Sequence, residues 1–229
     1  FDEANAIGQA IDGVPAWVDQ IIVADNASTD GTADTARAHG ACVVHEPQPG
    51  YGAACLRGIE AATGYDIIVF MEGDYSDRGN EMHLLTDPIA SGAADLVIGS
   101  RTSGVAEAGS LTPLKRWGNW LACTMIYMFW GAKFTDLGPY RAISSASLRA
   151  IDMQDRAFGW TVEMQLKAIL HGLRWQEVPV SYFKRIGVSK ISGTVRGTLL
   201  AGYAIIGTIL RTALASKYKN PISNPTDRA

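Results

Sequence analysis

The chain has 229 residues, 47% of them apolar, and carries 20 Lys and Arg against 23 Asp and Glu, a formal net charge of −3. That length and apolar content support one sizeable hydrophobic core and argue against a disordered chain. The slightly acidic balance gives no reason to expect nucleic acid as a partner.

In chain order, the sequence opens on "FDEANAIG" with neither an initiator Met nor a preceding strand, so we expect the natural protein to begin earlier. Helix-like stretches at 4–13, 30–39, 52–63 and 79–91 then lie between short β-rich runs at 20–25, 41–46, 66–72 and 94–100. Unbroken apolar runs between amphipathic helices predict parallel strands covered on both faces, a doubly wound α/β arrangement. Ligands of such folds gather at the carboxyl ends of the strands. The sharpest polar clusters stand there: Asp25-Asn26, Glu72-Gly73-Asp74 and Ser100-Arg101. The second half brings a Gly/Ser/Thr-rich loop (102–112), "LKRWGNWLACTMIYMFWGAK", "FTDLGPYRAIS", a helix near 160–171 and a strand "RWQEVPVSY". A basic "FKRIGVSK", a helix over about 193–216 and a polar tail expected to fray complete the chain. Three scattered cysteines (Cys42, Cys55, Cys123) without CxxC spacing read as reduced thiols of a cytosolic protein. No signal peptide is visible.

The motifs leave some alternatives open. In "DNASTDGT" (25–32), Asp25 and Asn26 end a strand, and Ser28 or Thr29 is placed to cap the next helix. This is either an ordinary strand–turn–helix junction or a site where Asp25 accepts hydrogen bonds from a nucleotide. "HEPQPGYGAACLRGI" (45–59) either offers helix-start amides to a phosphate or uses Gly50 and Gly52 for a tight turn. It is neither GxGxxG nor a P-loop. Glu72 and Asp74, one glycine apart, are hard oxygen donors that suit Mg²⁺ or Mn²⁺ sharing its shell with water and a diphosphate. The alternative is a loop of solvated acids. Arg101, Lys184, Arg185, Ser189 and Lys190 match the forks and hydroxyls that grip phosphate oxygens. An acidic turn and a basic loop together imply two separate phosphates, one chelated by metal and one held directly.

These residues resemble a known family. "DNASTDGT" is similar to the D-[ND]-x-S-x-D-G-T element of family 2 glycosyltransferases with the GT-A fold, and "EGD" takes the place of their D-x-D metal motif. "GSR", "NWLAC", "FTDLGPYRAIS", "GWTVEMQ" and "RIGVSKISG" resemble the branch of dolichyl-phosphate mannose synthase and its bacterial polyprenyl-phosphate relatives. The resemblance runs from residue 1 to about 216. It implies a GT-A, doubly wound mixed sheet over 1–192 with a C-terminal helix and tail over 193–229. It further implies nucleotide-sugar contacts from Glu3, Asp25, Asn26, Glu72, Gly73 and Asp74, with Glu72 and Asp74 ligating Mg²⁺ or Mn²⁺. Arg101, Arg185, Ser189 and Lys190 would line an acceptor-phosphate pocket, and Asp74, Arg101 and Glu163 would stand at the reaction centre. Glu72 in place of the usual first Asp, and Asp2 where Asn is commoner, depart from the pattern.

The activity so implied is inverting transfer of a hexose from a nucleotide diphosphate sugar to a polyprenyl phosphate. The alternatives are a transferase using a small phosphorylated or hydroxyl acceptor, and a non-catalytic nucleotide-sugar-binding protein. A phosphate acceptor is already anionic, so positioning and electrostatic stabilisation suffice without a strong general base. The four histidines receive no role. Residues 117–132 and 197–210 carry no charge, yet as helices of about 24 Å and 21 Å they fall short of the roughly 30 Å hydrocarbon core. Each is expected either to be covered by protein or to lie shallowly on the cytoplasmic face of a membrane. Sugar identity, UDP against GDP and oligomeric state are left undecided.

Overall fold

The computed structural model describes residues 1–187 and 195–216. Its elements follow the predicted order with trimmed ends: α1 Ile7–Asp12, β1 Ile22–Asp25, α2 Thr32–Ala38, β2 Cys42–His45, α3 Tyr51–Ala61, β3 Ile67–Phe70 and, after a single 3₁₀ turn Gly79–Glu81, α4 Met82–Ala90. Then come β4 Leu96–Ser100, α5 Pro113–Trp130, β5 Arg141–Ser144, α6 Ser145–Ile151, α7 Trp160–Leu170, β6 Trp175–Pro179 and α8 Val195–Ser216.

The mixed sheet that the resemblance implies is what forms, and the four runs read as parallel strands share one direction within their sheets, β1 with β2 and β3 with β4. The strands form a parallel pair, β1-β2, and a mixed sheet of order β3-β5-β4-β6. In the mixed sheet β5 runs antiparallel to both β3 and β4, while β4 and β6 are parallel. β5 escaped the sequence reading because "RAIS" holds only two apolar residues. Its charged member, Arg141, is fully buried and donates to the carbonyls of Leu137, Gly138 and Thr161. A buried guanidinium satisfied by carbonyls has no signature in a hydropathy pattern.

The mixed sheet is covered on both faces, as expected. Leu96, Ile98 and Ile143 join Ile126, Trp160, Met164, Ile169 and Ile209 in the largest core. Their alternate neighbours Val97 and Ala142 pack instead with Met82, Leu85 and Ile89 of α4. This is the period-two alternation of strands in a sandwich. A smaller cluster of Ile7, Ile11, Ala36 and Ala41 packs α1 and α2 against β1 and β2.

Local chemistry fixes α5 well. Thr112 caps it by accepting from Lys115 N, Pro113 takes the first turn, and Gly131 closes it at φ 69°. α8 packs against α5 and α7, and its Ile209 is fully buried in the main core. Among the described residues no helix is long and apolar enough to cross a membrane. The polar tail beyond Ser216 lies outside the described residues.

Candidate active site

The turn after β3 gathers more acid than two carboxylates. Asp74 is buried, and its Oδ1 accepts from Ser76 N at 2.9 Å and from Ser76 Oγ at 2.5 Å. Glu72 Oε2 reaches the same hydroxyl at 3.4 Å, so the two carboxylates converge on one point. Asp77 is buried behind them and accepts from Glu72 N, and its Oδ1 has no partner among the described residues. Burial and the neighbouring Asp74 charge push the Glu72 carboxyl up to about 7. Burial and the Glu72 charge likewise hold Asp77 well above the carboxylate range. Tyr75 bends the turn at φ 63°, a left-handed value that costs a non-glycine residue energy and marks sites held by their surroundings. A Cβ at Gly73 would come within 2.9 Å of Ile7 Cδ1, a side-chain end that would have to shift.

The basic segment sits directly on this turn. Phe183 N donates to Ser76 O and Ile186 N to Asp74 O, both at 3.0 Å. Arg185 donates to Glu3 and places Nη1 3.4 Å from Asp74 Oδ2. Acid turn and basic loop therefore form one cluster, with Arg185 between Glu3 and Asp74. Ser189 and Lys190 lie outside the described residues. Arg101 faces elsewhere than an open phosphate pocket would require. Its Nε and Nη2 grip both oxygens of the fully buried Asp136 at 2.8 Å, and its backbone N donates to the same carboxylate. A bidentate pair of this kind fixes Arg101 as a strut beside the cluster.

Asp25 ends β1 at the rim. It is buried, its Oδ1 accepts no hydrogen bond among the described residues, and its Oδ2 stands 3.6 Å from His45 Nδ1. Such an acceptor fits the nucleotide-contact reading. Asn26, by contrast, is spent on the neighbouring loop, donating to Glu46 O and Gln48 O and accepting from Gly50 N. Capping by Ser28 or Thr29 is corrected too. Ser28 accepts from Asp2 N, Thr29 binds the Asp2 carboxylate, and α2 starts at Gly31 with no side-chain cap. The phosphate option for the glycine loop fails on its amides: Gly52 N and Ala53 N donate to Ala157 O and Arg156 O. Gly50 and Gly52 are there for close approach, because a Cβ on either would strike the Arg156 or Asp155 carbonyl. The Glu163 carboxylate is likewise taken, by Gln154 N, Asp155 N and Lys167 Nζ, and lines a separate cavity of about 330 Å³ between α7 and α8.

Against known proteins, the model of the family described as "Glycosyl transferase family 2" matches residues 1–150. The chain belongs to glycosyl transferase family 2. An uncharacterized glycosyltransferase of Mycobacterium tuberculosis is 34% identical over 88% of this chain and 90% of its own length. The undecaprenyl-phosphate mannosyltransferase of Micrococcus luteus is 30% identical over 93% and 89%. Among solved structures, glucosyl-3-phosphoglycerate synthase from M. tuberculosis, crystallised with Mn²⁺, UDP-glucose and phosphoglyceric acid, superposes with a TM-score of 0.74. It is 22% identical and the match covers 93% of this chain and 77% of that one, so it shows the shared GT-A fold. The enzyme is thus a glycosyltransferase of the polyprenyl-phosphate mannosyltransferase-like branch.

Two residues of this glycosyltransferase's cluster went unread in the sequence. Asp77 stands three residues after Asp74 on the same turn, a spacing that was in plain view. Lys115, in the first turn of α5, is partly buried with its charge facing Glu72, and burial lowers its ammonium pKa. Only tertiary packing brings it there.

Two measurable outcomes follow from these environments. Since Glu72 sits near 7 instead of 4.5, the native state holds a proton that the unfolded chain releases. Its contribution to stability is complete below about pH 4.5 and is lost as pH rises through 7. In chelator, melting temperature should fall between pH 5 and 8, and Glu72→Gln should flatten that slope; a flat wild-type profile contradicts it. Asp25→Ala should raise the dissociation constant for nucleoside diphosphate by about 1–3 kcal/mol, the cost of an unmade hydrogen bond. Unchanged affinity in calorimetry removes Asp25 from the site.

Proposed function

We propose that the enzyme transfers a hexose from a nucleotide diphosphate sugar to a polyprenyl phosphate, with Mg²⁺ or Mn²⁺ held by Asp74 and Glu72. The observation that carries this reading is the convergence of Glu72 and Asp74 on one hydroxyl, beside the cationic Arg185. The donor set fits a hard divalent ion: carboxylates and a hydroxyl whose mutual repulsion a cation would relieve. Among the described residues no group of three or more His, Cys, Asp or Glu could hold a metal ion. An ion held by these two carboxylates would take its remaining ligands from water and a diphosphate. When bound, it would neutralise charge on the departing diphosphate.

The chain's own residues take the other roles. Asp25 receives the nucleotide, Glu3 orients Arg185, and Arg185 with Ser189 and Lys190 holds the acceptor phosphate. Arg101 acts through position, braced by Asp136. Glu163, its oxygens engaged, drops out of the reacting set. The acceptor oxygen needs no proton removed, which fits a cluster without a histidine base.

A lipid acceptor needs a surface, and two packed helices offer one. α5 exposes Leu114, Trp117, Trp120 and Met128, and α8 exposes Leu200, Tyr203, Leu210 and Leu214. Spacings of three, four and seven or eight residues put each set on one helix face, the pattern of helices that lie in a membrane interface. Ile205, by contrast, packs against the core. Trp117→Asp with Tyr203→Asp should cut binding to anionic vesicles roughly tenfold while leaving melting unchanged, because both side chains are exposed. Unaltered vesicle binding moves the reading to the second candidate, a small phosphorylated acceptor, which the phosphoglyceric acid complexed with the solved neighbour supports. The deciding assay supplies radiolabelled GDP-mannose or UDP-glucose with polyprenyl phosphate and follows label into the organic phase. Label that enters only a small phosphate ester overturns the lipid reading.

A further inference from the structure

Asp74 is fully committed in this structure. Its Oδ1 serves Ser76 twice, and its Oδ2 faces Arg185 Nη1 at 3.4 Å. Arg185 is pinned from the other side by Glu3, and both partners are largely buried. A divalent cation at Asp74 would stand a few ångströms from this guanidinium, where two positive charges in a partly buried site repel strongly. Arg185 Nε, meanwhile, is buried with no acceptor among the described residues, so this placement leaves one of its donors unused. The backbone on either side is tied down by Phe183 N and Ile186 N, so any change of partner falls to the side chain.

We propose that Arg185 and the divalent cation compete for Asp74 Oδ2, so that loading metal with the nucleotide sugar releases Arg185 to the acceptor phosphate. This rests on the metal reading above and gives Arg185 two positions, on Glu3 and Asp74 before the cation binds and free for the acceptor phosphate afterwards. Arg185 is thereby a positioning residue that reports donor occupancy to the acceptor side. An acceptor arriving early meets an arginine still engaged with two carboxylates.

The test is Mn²⁺ binding to the full chain without nucleotide, read from the loss of the free-ion electron paramagnetic resonance signal. Arg185→Gln should bind Mn²⁺ about tenfold more tightly than wild type, the scale of removing one adjacent cation. Arg185→Lys should fall between, since one ammonium cannot bridge Glu3 and Asp74 as a fork does, and it carries the test if the Gln variant misfolds. Adding Asp74→Asn should abolish the gain. Lys115→Gln, which removes a nearby charge that has no ion pair with Asp74, should tighten Mn²⁺ much less. Equal affinity in wild type and both Arg185 variants overturns the competition, as does an equal gain from Lys115→Gln. If no variant binds Mn²⁺ with or without UDP or GDP, the metal reading fails and takes this proposal with it.

Discussion

Asp74→Ala should lose roughly 2–4 kcal/mol of transition-state stabilisation, about 30- to 1,000-fold in kcat, on the scale of other electrostatic stabilisers. Asp74 places Oδ2 3.4 Å from Arg185 Nη1, within ion-pair reach. Its other oxygen is fixed by Ser76, so no rotation lets a neighbour replace it. Glu72 is held partly protonated near neutral pH by burial and by Asp74 itself, which leaves Asp74 as the dominant negative charge. The check is turnover against Mg²⁺ and Mn²⁺ concentration for wild type and variant. Normal turnover by Asp74→Ala in chelator would show that the carboxylate serves no cation.

The largest effect on stability should come from Asp136→Ala, at about 3–5 kcal/mol, the cost of stranding one member of a buried pair. Asp136 is fully buried and accepts three hydrogen bonds from Arg101, two from its guanidinium and one from its backbone. Deleting it strips Arg101 of its bidentate partner and leaves a largely buried guanidinium facing only the more distant Glu72. For a chain of this length the melting temperature should drop on the order of 10 °C. Asp136→Asn should lose less, because it keeps an acceptor for Arg101. A melting temperature within about 2 °C of wild type for Asp136→Ala would mean that Arg101 finds another partner. Activity should fall with either variant, since Arg101 stands beside Glu72 and its charge favours the ionised carboxylate.

The sequence by itself determined what acts over a few residues. Apolar runs of four to six placed β1, β2, β3 and β4, because burying both faces of a strand demands them. Thr112, Pro113 and Gly131 bound α5 in the structure, each satisfying or terminating backbone geometry locally, although the sequence reading used none of them. Glu72 and Asp74 were legible as a pair because a single glycine separates them. Tertiary structure alone decided the rest. It placed "RAIS" antiparallel between two stronger strands, where β5 gains its hydrogen bonds from neighbours and not from its own pattern. It gave Arg101 to Asp136 and spent the amides of the glycine loop on the 156–157 carbonyls. It also set Arg185 between Glu3 and Asp74, although 182 positions separate Arg185 from Glu3. The physical reason is range. Propensity, capping and burial periodicity act within a turn or a strand, whereas the partner of a charged side chain is whichever group the packed sheet and helices bring within about 4 Å.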